Sequence, residues 1–382
     1  MYTTFKHGLR GPRRVVAARC LRVSALAVAS VIALSACSDG GSDATSGDEI
    51  VIGLNLEMTG PGSFLGAGME VGIKGAADQL NANGGVNGKQ ISIVSRDNES
   101  DPSKAVTVVS ELERAGAQAI LGPGFAQDCA AAAPTLVRDN LVGLCISAGN
   151  LPEDNPNMFG IGIDYTTMEN AIAAQYAKDG VKRVGLIAAR DTSGDQTVDK
   201  FVTAAQALGI TVDVERFNGP ATDLTPQLLA VSRNDPDAIR IQATGPDALV
   251  GVANVRSLGI TTPTWLPNSA ASLYFADQVK GEVAAGNILT WIPAMLAPNG
   301  PSDYPNQAPE IDGLQQALPD ADTISAAGWD AMKILAAAIE KAGSTDTDAL
   351  VAALEGSEKY YGAYSVQQIT ADDHRGASDE GT

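Results

Sequence analysis

Histidine is almost missing from this chain of 382 residues: there are two, His7 and His374. Cysteine is scarce as well, with four in all, and no His, Cys, Asp or Glu group shows metal-ligand spacing, so no metal centre is expected. Basic residues are outnumbered, 26 Lys and Arg against 45 Asp and Glu, for a formal net charge of -19. Such a surface repels phosphate backbones, which excludes nucleic acid as a partner, and it offers no basic patch for anionic headgroups. There is no Gly-x-Ser-x-Gly elbow, no phosphate loop with its lysine and no histidine base, so an enzyme is not expected and no cofactor is implied. Gly122-Pro123-Gly124 lacks the third glycine of a dinucleotide loop and reads as a tight turn. Beyond the first 36 residues there is no apolar run near the roughly 20 residues that a spanning helix needs.

What the N-terminus does have is order. Lys6, Arg10, Arg13, Arg14, Arg19 and Arg22 form a basic stretch, Val23 to Ala33 is apolar, and Leu34-Ser35-Ala36-Cys37 closes it. This resembles the lipobox of a bacterial lipoprotein, in which cleavage leaves the cysteine first. The resemblance implies that residues 1–36 are a signal peptide and that Cys37 carries lipid, with the protein anchored in the membrane and facing the extracytoplasmic side. Residues 37–48, rich in Ser, Gly and Asp, read as a flexible tether. Outside the cytoplasm the two remaining cysteines, Cys129 and Cys145, can be bridged or can stay as two buried thiols; both readings remain open.

The body alternates strand and helix patterns. Glu49–Leu56 is an apolar, β-prone run, and after a Thr59-Gly60-Pro61-Gly62 turn the residues Met69, Ile73, Ala76, Ala77 and Leu80 recur at helical spacing. Asn83-Gly84-Gly85 stops that helix. Lys89–Ser95 is a second strand, and Asp101-Pro102 supplies an N-cap and a preset first helical residue. Ala119–Leu121 and Leu141–Cys145 are short buried strands with a helix from Gln127 to Leu136 between them. The same grammar restarts after Asp164-Tyr165, with strands at Arg183–Ala188, Ile210–Glu215, Ala238–Gln242 and Thr264–Leu266. Leu208-Gly209-Ile210 and Leu258-Gly259-Ile260 each read as helix end, C-cap and return to the sheet. The pattern predicts an α/β fold of two successive lobes with parallel sheets.

Several stations occur together and in order: Thr59-Gly60-Pro61 with Gly66; Ile73 to Asn83 leading to Gly84-Gly85-Val86-Asn87-Gly88-Lys89; Asp97-Asn98 before Asp101-Pro102; and Gly328-Trp329-Asp330-Ala331. Through them residues 49–366 resemble the branched-chain amino acid binding proteins that serve ABC importers. The resemblance implies a periplasmic binding protein of type I, two Rossmann-like lobes joined by a multi-strand hinge that closes on a solute. On that model the first lobe is 49–163 plus 294–361, and the second is 164–293 plus 362–382 with the tail. Crossings fall near Ile161–Tyr165, Trp291–Pro293 and Gly362–Val366. The protein would be a monomer that hands a small molecule to a permease and its ATPase. A receptor of the same fold signalling to a membrane partner is the alternative, and an α/β enzyme a remoter one.

The strand-to-helix turns at Gly122–Gln127 and Cys145–Asn150 offer free N–H groups at the carboxyl edge of the sheet, a setting that suits a carboxylate. By resemblance the ligand-binding residues are Phe64, Leu65, Phe125, Ala126, Gln127, Ser147, Ala148 and Gly149 on the first lobe. Ser193, Thr244, Asn268 and Ser269 face them from the second. The chain departs from the family's pattern where Ala126 replaces a serine or threonine and where Pro267-Asn268-Ser269 replaces an acidic partner for an ammonium. A neutral or anionic solute, amino-acid-like or carrying a carboxylate or amide, is therefore expected rather than leucine, isoleucine or valine. The stretch from Ile369 to Thr382 reads as a short polar end.

Overall fold

The computed structural model describes residues 49–382 except 153–154, 280–286, 292, 297–301, 379 and 381–382. The expected signal peptide, the expected tether and Cys37 lie outside the described residues. Two parallel five-stranded sheets form the framework. The first has the order β2-β1-β3-β4-β5, with β1 Glu49–Leu56, β2 Gln90–Asp97, β3 Ala119–Leu121, β4 Val142–Cys145 and β5 Met158–Gly160. Its register sets Ile52 opposite Ala119 and Leu54 opposite Leu121. β1 lies inside the sheet and is buried along almost its whole length, which is why it reads as a continuous apolar run rather than an alternating one.

Helices cover both faces. On one side α1 (Ser63–Ala82), α9 (Ala308–Ala317), α10 (Thr323–Ala342) and α11 (Thr347–Glu355) enclose the largest core. On the other, α2 (Pro102–Arg114) and α3 (Ala126–Arg138) pack Val109, Leu112, Ala133 and Leu136 beneath β3 and β4. The helix starts follow local chemistry. Asp101 caps α2, its carboxylate accepting from Ser103 N at 2.8 Å with Pro102 behind it. Asp322 and Ser325 form a reciprocal capping box at α10. α1 and α10 lie unusually close: a Cβ on Gly72 would stand 1.8 Å from Ser325 O, and one on Gly328 2.2 Å from Met69 O. The two helices touch backbone to backbone, which accounts for the glycine of Gly328-Trp329-Asp330-Ala331.

The second sheet has the order β10-β9-β8-β6-β7, with β6 Arg183–Ala189, β7 Thr211–Phe217, β8 Ala238–Gln242, β9 Thr264–Leu266 and β10 Ile288–Thr290. α4 (Tyr165–Lys178) and α5 (Thr192–Ala207) cover one face, and α6 (Thr225–Ser232) and α7 (Pro246–Ser257) the other. A short helix, α8 (Leu273–Gln278), follows β9. Gly209 and Gly259 take φ of 76° and 63° after α5 and α7, the left-handed stop expected of them. Cys129 in the first turn of α3 and Cys145 at the end of β4 are joined as a disulfide, Cα to Cα 5.9 Å.

The C-terminal segment differs from expectation. The strands β11 (Tyr360–Tyr361) and β12 (Val366–Gln367) form an antiparallel hairpin, so the chain reaches the hinge at Tyr364 and turns back instead of entering the second lobe. Asp330 imposes the turn, its carboxylate accepting from Ala363 N, Tyr364 N and Ser365 N at 2.8, 3.0 and 3.1 Å. The residues that follow pack on the first lobe. Gln367 Nε2 donates to Gly160 O at 2.9 Å, and Gly160 N donates to His374 O at 3.0 Å. Nor is this a merely polar end, since Ile369 and Arg375 are both buried.

Candidate functional site

A cavity of about 530 Å³ lies between the lobes at the carboxyl edges of both sheets, the position that wound parallel sheets leave open for ligands. On the first lobe Leu65, Phe125, Ala126, Gln127, Ser147 and Ala148 line it; on the second, Ser193, Thr244, Asn268 and Ser269 do. Two of the residues expected there stand elsewhere. Phe64 sits outside the lining, its ring stacked on Tyr274 of α8 with centroids 5.1 Å apart, which closes the two lobes over the site. Gly149 is buried behind the wall, where a Cβ would strike that of Ala126 at 2.2 Å. The two ligand loops therefore approach each other too closely there for any side chain larger than glycine's.

The amide supply is narrower than the sequence suggests. The carboxylate of Glu57, fully buried at the end of β1, accepts from Gly124 N at 3.0 Å and Phe125 N at 3.1 Å. Within this loop only the N–H groups of Ala126 and Gln127, at the start of α3, stay without a protein acceptor among the described residues, and in the second loop those of Ser147 and Ala148 do. The second loop is braced from within and from behind. Ser147 Oγ accepts from Gly149 N at 3.2 Å. Arg375, from the C-terminal tail, donates to Ser147 O and to Gly149 O, each at 2.6 Å. Nothing in the sequence around Arg375 signals this role, because the contact spans more than two hundred residues.

Beneath the first loop lie two acids. Asp128 is fully buried and neither carboxylate oxygen has a hydrogen-bond partner. Burial and the neighbouring Glu57 charge push its pKa up to about 7, and burial also raises that of Glu57. Each of the two charges opposes the ionisation of the other.

On the second lobe a buried chain of polar groups positions Ser193. Arg240 grips Glu169, with one of the two bonds at 2.7 Å, and reaches Gln242 Oε1 at 3.4 Å. Gln242 Nε2 donates to Ser193 Oγ at 3.2 Å, and Tyr165 Oη lies 2.6 Å from the same oxygen. Burial raises the Tyr165 pKa to about 12, so the phenol stays neutral. Asn268 Nδ2 donates to Tyr364 Oη at 3.3 Å. Asp191 and Asp247 also line the cavity, and among the described residues no Lys, Arg or His does. Sequence reasoning missed both acids as site residues. Asp191 had a legible signal as the N-cap of α5, where it accepts from Gly194 N at 2.7 Å. Among the described residues no group of three metal-ligating side chains forms, and no helix is long and apolar enough to cross a membrane.

Two wound α/β lobes closing on a cavity lined by helix starts define a solute-binding protein. Residues 49–379 match the family model of the periplasmic binding proteins, and the chain belongs to that family. It is similar to the Leu/Ile/Val-binding protein homolog 1 of Brucella suis biovar 1 (strain 1330), 22% identical over 342 residues, covering 87% of each chain. Among solved structures it is similar to an extracellular ligand-binding receptor from Rhodopseudomonas palustris HaA2, with a TM-score of 0.78 and 21% identity, covering 87% of this chain and 96% of that one. A branched-chain amino acid transporter substrate-binding protein from Streptococcus pneumoniae, solved with isoleucine, gives a TM-score of 0.76 at 22% identity, covering 86% and 93%. Identities at this level establish the shared fold. The relatives are solute-binding proteins rather than enzymes.

Proposed function

We propose that the protein is the extracytoplasmic receptor of an ABC importer, held to the membrane by lipid on Cys37, and that it traps a small carboxylate-bearing solute by hinge closure. One observation carries the ligand class: the free amides of Ala126 and Gln127, at the positive end of α3, open onto a cavity whose far wall belongs to the other lobe. Arg375 adds to this. Its guanidinium lies directly behind the Ser147–Gly149 loop and bonds backbone carbonyls rather than a carboxylate, so the loop presents positive potential to a guest. Ser193, Thr244 and Asn268 then complete the shell, and ligand selects the closed form. Asp191 and Asp247 supply the negative charge that the Asn268 station lacks, which makes a zwitterion admissible beside a simple anion. The relative solved with isoleucine binds such a molecule.

Thermal-shift measurement separates these chemistries, because a solute that binds only the native state raises the melting temperature, by about 2.7 kcal/mol of stability at a hundredfold excess over Kd. Leucine, phenylalanine, benzoate, benzamide and glucose form the panel. We expect a carboxylate to stabilise where the matching amide does not, and the double variant Gln127→Ala, Ser147→Ala to weaken the response. A benzamide shift equal to that of benzoate would refute the carboxylate assignment.

A further inference from the structure

A second cavity, of about 160 Å³, adjoins the first at the hinge. Its lining is largely apolar: Ile163 from the first crossing, Met168 and Ile172 from α4, and Trp291 and Pro293 from the second. Asn268 and Tyr364 belong to both linings. The wall between the cavities is thus made by two half-buried side chains tied through one hydrogen bond of 3.3 Å, long for its kind and easily exchanged. The Trp291 ring stacks on Trp265 with centroids 4.3 Å apart. An apolar cavity of about 150 Å³ is enough to take up a benzene ring.

We propose that this second cavity is an annex of the solute site that receives a ring-sized apolar tail. The ligand class it defines is a carboxylate whose head sits at the start of α3 and whose apolar tail passes between Asn268 and Tyr364. The inference rests on the solute-binding reading above and goes beyond it in setting the length and polarity of the guest. Continuity favours a tail over a separate molecule, because the two cavities share a wall of movable side chains rather than backbone.

The test is calorimetric titration of the protein with benzoate, phenylacetate, 3-phenylpropionate and 4-phenylbutyrate, with tryptophan fluorescence read in parallel. Burial of the tail is expected to tighten Kd by about tenfold or more between benzoate and the best longer member. Emission from the stacked Trp265 and Trp291 pair should change with the longer members only. Ala171 of α4 also lines the annex, and Ala171→Phe, which would fill it, should cancel that gain and leave benzoate affinity as it was, a pattern that a folding defect would not produce. If benzoate binds and length adds nothing, or if Ala171→Phe leaves the gain intact, the annex is refuted while the solute site stands. If no member binds, the carboxylate reading falls and takes the annex with it. Toluene that binds and is not displaced by 4-phenylbutyrate would make the cavity an independent site and also overturn the proposal.

Discussion

Glu57 decides how much of the first ligand loop a guest can use. By taking Gly124 N and Phe125 N for its own carboxylate, it leaves a two-amide anchor at Ala126 and Gln127, and it places a second acid, Asp128, in a buried setting with no donor of its own. The sign of the consequence can be worked out. A carboxyl whose folded pKa, about 7, lies above its unfolded value of about 3.9 binds extra protons in the native state. Its stabilising contribution is therefore complete below the unfolded value and is lost as pH rises through about 7. The melting temperature is expected to fall between pH 5 and pH 8, and Asp128→Asn should flatten that slope by up to about 1.4 kcal/mol per pH unit for one proton. Asp330, pushed by burial to about 7 despite three amide donors, keeps part of the slope in the variant. An identical pH profile for variant and parent would show that Asp128 does not titrate in this range. None of this is legible in the sequence, where Glu57, Asp128 and Arg375 look like ordinary surface charges. Their burial is decided by which loops meet. Ala126, Ser147 and Asn268, named through the family resemblance, do line the cavity, each in the turn that follows a strand end.

At the scale of elements, strands and caps were the readable part. β1 and β6 declare themselves as apolar runs, and Asp101-Pro102 marks the start of α2 within a residue. α5 starts at Thr192, six residues before its first aliphatic residue, Val198, because Asp191 rather than a hydrophobic residue fixes its first turn. α10 resists the same reading: it is buried on nearly every side, so the two-faced periodicity that reveals a surface helix is missing. Its one visible clue, the glycine of Gly328-Trp329-Asp330-Ala331, reflects the backbone contact with α1. That contact can be tested at Gly72, where any Cβ meets the Ser325 carbonyl oxygen rather than a flexible side-chain end. Gly72→Ala is expected to cost about 1 to 3 kcal/mol, the range for overpacking a core, read as a lower urea midpoint at unchanged m-value. An unaltered midpoint would mean that the two helices can separate freely. The C-terminal hairpin was misplaced for a related reason. Nothing local distinguishes a strand that crosses a hinge from one that turns back on it, and here the carboxylate of Asp330, on another element, settles the matter.

For the whole molecule, closure depends on few contacts outside the cavity. Phe64 of α1 stacks on Tyr274 and lies edge-on to Phe275 at 6.4 Å. Leu273 N donates to Asp322 Oδ2 at 2.9 Å, and Asn150 N donates to Gln196 Oε1 at 3.2 Å. A binding protein needs this economy, since a closed form too stable without solute would neither load nor unload, and ligand can shift the equilibrium only by its differential affinity for the two states. An aromatic pair of this kind contributes about 0.5 to 1.5 kcal/mol beyond its buried area. Tyr274→Ala removes it from the second lobe without touching the cavity lining. Because the stack forms only once the lobes meet, its loss should leave the encounter step nearly unchanged and act on release. We expect a dissociation rate roughly two- to tenfold faster with an association rate within about twofold of the parent, measured by stopped-flow with whichever solute the thermal screen returns. A slower association with unchanged release would place the stack in the open form as well, and closure would then have to rest on Asp322 and Gln196 instead.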